Sequence, residues 1–116
     1  MAEDKGSSTL SLMAVAKALA DTIRKVPGIA ELGSGKYVEA ATYGPSEKVI
    51  GVVVTSGHDQ VTVEIHAIAA ASGSYPSLNL MDLADRVRLE ATDVLSRLHI
   101  DSVGRIDVVF DDLRDQ

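Results

Sequence analysis

The chain has 116 residues, 46% of them hydrophobic and 24% charged, a net charge of -6 and no cysteine. That length is one domain with a core of its own, and the absence of thiols excludes disulfides, thiolate metal sites and cysteine nucleophiles. An acidic balance and only 3% aromatic residues argue against a nucleic-acid surface, which needs basic groups and stacking rings.

Residues 1–8 read as a disordered tail, and MAEDKGSST lacks the apolar run of a secretory signal. The apolar stretches fall well short of the ~20 residues that span a bilayer. Ser8, Thr9 or Ser11 is placed to cap a first helix. Leu12, Val15, Ala16, Leu19, Ile23 and Val26 recur at helical spacing and give it one apolar stripe. Pro27-Gly28 ends it. Ile29–Leu32 reads as a short strand. Gly33-Ser34-Gly35-Lys36 resembles a phosphate loop only superficially, since Ala30 and Tyr37 stand where Gly and Ser or Thr are required. A plain turn is expected there, then a strand over Tyr37–Tyr43 and a turn at Gly44-Pro45-Ser46.

The centre of the chain is the hairpin 49–69. Its break is Ser56-Gly57-His58-Asp59, where Gly57 is the residue suited to a positive φ. Pairing Thr55 with Gln60 sets Val54 against Val61, Val52 against Val63 and Ile50 against Ile65, which makes one apolar face. After a loop at 72–77, Asn79 is placed to cap a second helix with Asp82 in its first turn. Its stripe is Leu80, Leu83, Ala84, Val87, Ala91, Val94, Leu95 and Leu98. A last strand follows Gly104, with Ile106, Val108 and Phe110 facing the core. The expected fold class is therefore α+β: a small mixed sheet of three to four strands with two helices packed on it, order α-β-β-(β)-α-β. The domain runs over 9–113, with 114–116 a polar tail. The long link through the second helix makes the hairpin's second strand and the last strand parallel neighbours.

Nothing in the chain reads as a reaction centre. His58, His66 and His99 fall in a turn, a strand and a helix end, without metal-ligand spacing. His66, Glu64 and Asp107 share the polar sheet face with nothing to enclose them, so neither a metal nor a cofactor is expected. No nucleophile elbow exists. The sheet's second face mixes valines with charges, and Val49, Val53, Thr62, Glu64, His66, Asp107 and Val109 are the candidate protein interface. Without a helix to cover it, that face is suited to self-association or a partner selected by charge.

Several segments together resemble the alkaline shock protein family, the envelope stress response proteins of Gram-positive bacteria. They are Val26-Pro27-Gly28-Ile29-Ala30-Glu31-Leu32, the strand Val61-Thr62-Val63-Glu64-Ile65-His66, the helix Leu80 to Leu98, and Val103-Gly104-Arg105-Ile106-Asp107-Val108-Val109-Phe110. The likeness covers roughly 10–113. It departs at Leu98-His99-Ile100-Asp101-Ser102, where the family shows a Gly-containing turn. The resemblance implies a non-enzymatic cytoplasmic scaffold in cell-envelope homeostasis. It would form homo-oligomers and bind protein partners, an integral membrane anchor protein among them, without inserting into the membrane itself. The alternative is a KH-like nucleic-acid module. That reading lacks its Gly-x-x-Gly loop with basic flanks, so no nucleic acid is expected as partner.

Overall fold

In a computed structural model, residues 11–71 and 79–115 are described. The expected tail 1–8 and the loop 72–77 lie outside them. The elements are α1 (Leu12–Ile23), β1 (Ile29–Leu32), β2 (Ala41–Tyr43), β3 (Lys48–Ile50), β4 (Val52–Gly57), β5 (Gln60–Ala71), α2 (Leu80–Arg97) and β6 (Val103–Asp115). The fold is α+β, with two helices on a mixed four-stranded sheet and a separate β2–β3 pair.

β5 is the axis. Along one side it pairs antiparallel with β4 over residues 60–65 and with β1 over 67–69; along the other it pairs parallel with β6. The parallel pairing expected through α2 is thus present. Both helices lie against one sheet face and against each other. α1 is capped by Ser11, whose hydroxyl accepts the Ala14 amide at 3.0 Å. α2 is capped by Asn79, which accepts the Met81 and Asp82 amides at 3.0 and 3.1 Å. Val15, Leu19 and Ile23 of α1 and Val87, Ala91 and Leu95 of α2 bury against Val52, Val54, Val63 and Ile65 of the sheet. At the end of α2, His99 takes φ 61°, so a histidine occupies the left-handed position that glycine usually fills after a helix.

The hairpin differs from the sequence reading by two residues. Gly57 pairs with Gln60, Thr55 with Thr62, Val54 with Val63 and Val52 with Ile65. The turn is the two residues His58 and Asp59, at φ 53° and 63°. Positive φ at both central positions matches the right-handed strand twist, and it falls on these residues rather than on Gly57. A slip of two leaves every residue on its expected face. The paired neighbours nonetheless change: Val61 stands opposite Ser56.

A second difference begins at Gly51, which breaks the expected continuous strand. At φ 96° it turns the chain between β3 and β4. The turn reverses the alternation, so Ile50 is exposed and Val49 is buried in the core. Three boundaries also move. α1 stops at Ile23, with Val26 still buried in the turn that follows. Of the strand expected over Tyr37–Tyr43 only Ala41–Tyr43 forms. Of the polar tail expected over 114–116, residues 114 and 115 belong to β6, whose backbone pairs with β5 as far as Ala71–Asp115.

Candidate functional site

β5 presents Glu64 and His66 on the sheet face away from the helices. Register places Val53 beside Glu64 on one flank, and Asp107 and Val109 beside Glu64 and His66 on the other. The segment 34–40 arches over this region. Together they form a groove of about 560 Å³ lined by Val53, Glu64, His66, Val109, Phe110 and Asp111 and by residues 35–40.

His66 is the hub of this groove. Its backbone amide donates to the Gly51 carbonyl and its carbonyl accepts the Gly33 amide, both at 2.8 Å. These two bonds bridge the gap between β4 and β1. Its ring is nearly buried and bound on both sides. Nδ1 contacts Asp111 Oδ1 at 2.9 Å, and Nε2 contacts a Glu64 carboxylate oxygen. Asp111 reaches the ring because of a β-bulge. Ala67 pairs with Phe110 and Ile68 with Asp112, leaving Asp111 as the extra residue. A bulge of this kind re-aims a side chain. The other carboxylate oxygen of Asp111 accepts the Gly35 amide at 2.7 Å, which ties the arch to the sheet. Gly33 must lack a side chain here, since a Cβ would run into the Asp111 carboxylate.

The far end of the arch is fastened separately. Glu39 accepts from the Tyr43 hydroxyl at 2.7 Å and from Lys48 Nζ at 3.0 Å. The Tyr43 hydrogen bond, followed by that of Lys48, holds the Glu39 carboxyl below its usual range. Between the two fastenings Tyr37 and Val38 project outward, 95% and 81% exposed.

Burial alone would push the His66 imidazole down. The hydrogen bonds and charges of Asp111 and Glu64 outweigh it and hold the ring above its ordinary value of 6.5. A raised value means that the folded state binds this proton more tightly than the unfolded chain does. The stabilisation is full below the unfolded value and disappears as pH rises through the folded one. His66 should therefore make the melting temperature fall as pH rises above the unfolded value and through the raised folded one. Calorimetry of the wild type and His66→Gln checks this: an equal fall in both would remove His66 as the cause.

The candidate residues are distributed as follows. Val53, Glu64, His66 and Val109 come together in the groove. Thr62 shares that face nearer the hairpin tip, and Asp107, level with Glu64, is paired with Arg105 at 2.9 Å. Val49 is not part of it; the Gly51 turn has carried it into the core. The group imagined as His66, Glu64 and Asp107 is built instead with Asp111. The two ring nitrogens point to carboxylates on opposite sides, and among the described residues no three such groups converge on a metal position. The candidate interface lacks Asp111, although alternation from Val109 puts it on that face, and it lacks Gly35, Tyr37 and Val38, which the sequence shows only as turn and strand residues. Among the described residues no helix is long and apolar enough to cross a membrane. No protein-family model, curated protein or solved structure matches this chain.

Proposed function

We propose that the chain is a non-enzymatic scaffold or adaptor of the cell-envelope stress response, of the alkaline shock protein kind. In this reading it is cytoplasmic and acts through self-association and protein partners, reaching the membrane through a partner. The observation that carries the reading is the sheet face left uncovered by both helices, with exposed Tyr37, Val38 and Val109 around a charged floor. Apolar side chains rimmed by charge are the composition of a selective protein interface. A catalytic role for His66 is disfavoured by its two carboxylate partners, since among the described residues no hydroxyl is hydrogen-bonded to it.

Val53→Lys tests the reading. Val53 is half-buried on the open face, with Val52 and Val54 pointing into the core on either side of it. A lysine there should reduce the assembly to a smaller species in light scattering or abolish capture of partners from source-cell membranes. Unchanged assembly and capture, with native circular dichroism, would rule this face out. Tight, salt-sensitive shifts of mixed RNA by the wild type would favour the nucleic-acid alternative instead.

A further inference from the structure

Besides the Tyr37 phenol, five titratable groups line the groove: Lys36 and Glu39 from the arch, Glu64 and His66 from β5, and Asp111 from β6. β4 adds only Val53, and the helices lie behind the opposite face. Glu39 is paired with Lys48, and Asp107, beside Glu64 in the register of β5 and β6, with Arg105. The remainder is Lys36 and His66 against Glu64 and Asp111. The charges balance while His66 is protonated; once it is neutral, one carboxylate is in excess.

The two carboxylates hold the ring on unequal terms. Asp111 is 9% exposed, fixed in its bulge and bonded to Gly35. Glu64 is 46% exposed, and among the described residues His66 is its hydrogen-bond partner. A neutral imidazole offers one N–H and one lone pair, so it can donate to one carboxylate only. Leaving the buried Oδ1 of Asp111 without a donor costs its desolvation, even with Oδ2 held by Gly35, whereas Glu64 can turn into water. The proton that leaves is therefore the one on Nε2, and the lone pair then repels Glu64.

We propose that Glu64 is a proton-gated counter-charge for a basic group on a partner segment. With both ring protons present, Glu64 is clamped to Nε2. When the Nε2 proton leaves, Glu64 turns into the groove, and an ammonium or guanidinium takes the place that the proton held. Tyr37, Val38 and Val109 form apolar walls for the methylene stem of a lysine or arginine and for its apolar neighbours. The inference rests on the groove being the partner surface and names that partner's chemistry. Proton and basic group compete for one carboxylate, so each weakens the other by the same factor.

The test is nitrogen NMR of the full chain, titrated with the capped tripeptide acetyl-Val-Arg-Val-amide and its norleucine counterpart. Arginine keeps its charge throughout the range. Above the midpoint of the His66 titration the ring should be the Nδ1–H tautomer, and the arginine probe should bind roughly fivefold or more tighter than below it. Saturating probe should lower the midpoint of the His66 titration. Glu64→Gln should keep the native spectrum and lose the pH dependence. The Nε2–H tautomer at high pH, equal binding at both pH values, or equal binding of the norleucine probe would overturn the gate. The two readings fail separately. Capture lost in Val53→Lys alongside a pH-blind probe removes the gate and keeps the scaffold. A pH-gated probe with assembly and capture unchanged in Val53→Lys does the reverse.

Discussion

Leu19→Ala is expected to lower the unfolding free energy by about 2–5 kcal/mol, the range for truncating a buried leucine. Leu19 is fully buried in α1 and belongs to the cluster formed with α2 and the sheet. Truncation leaves a cavity there, because neighbours on three elements cannot all move in to fill it. The control is Asp85→Ala. Asp85 lies on the outer side of α2, where it is well exposed and pairs with Arg88 at 2.9 Å. Exposed pairs of this kind contribute little, so the control should stay within about 0.5 kcal/mol of wild type. Urea unfolding of both variants checks the assignment; equal midpoints would mean that α1 does not bury Leu19.

Gly51→Ala should be comparably damaging through a different cause. At φ 96° an L-residue is strained whatever space surrounds it. The space is also missing: a Cβ would stand 2.6 Å from the Leu32 Cβ and 3.0 Å from the Gly33 carbonyl oxygen. Backbone strain of about 1–3 kcal/mol and overpacking of about 1–3 kcal/mol act together, so a loss near 3 kcal/mol or more is expected. The Gly51 carbonyl accepts the His66 amide, so the damage should also reach the groove. Thermal unfolding together with the NMR signals of the His66 ring would register both effects. A wild-type melting temperature in Gly51→Ala would show that the turn relaxes freely.

The helices and the paired strands were legible because their signals are local and repeated. Asn79 caps α2 as its position suggested, and Leu83, Val87, Ala91, Val94 and Leu95 are buried as the 3.6-residue spacing required. On β6, Ile106, Val108 and Phe110 pack against the core as alternation predicted. What escaped is what periodicity cannot encode. A two-residue slip keeps every face, so the pattern alone does not separate Gly57–Gln60 from Thr55–Gln60. Gly51 is compatible with a strand and with a turn, and its neighbours Leu32 and Gly33 are distant in sequence. The site was half legible for the same reason. Val53, Glu64, His66 and Val109 follow from alternation. Asp111 follows Val109 in the same alternation, but the bulge at two neighbouring aspartates and the contact with the His66 ring are not written in that pattern. Its bond to Gly35 spans most of the chain.

Thr42 sets a limit on how such a sheet can be extended. Its buried hydroxyl donates to the Val52 carbonyl at 2.7 Å and accepts the Val54 amide at 2.9 Å. One side chain thereby occupies one donor and one acceptor at the start of the β4 edge. A strand from another molecule would have to displace that hydroxyl and the β2–β3 pair carrying it. On the opposite side, β6 pairs only with β5 among the described residues, and Arg88 Nε donates to its Ile106 carbonyl at 3.3 Å. Among the described residues β6 is therefore the longest strand with an unpaired margin. A second copy added antiparallel along that margin would bury the same edge in both molecules and so close into a two-fold pair.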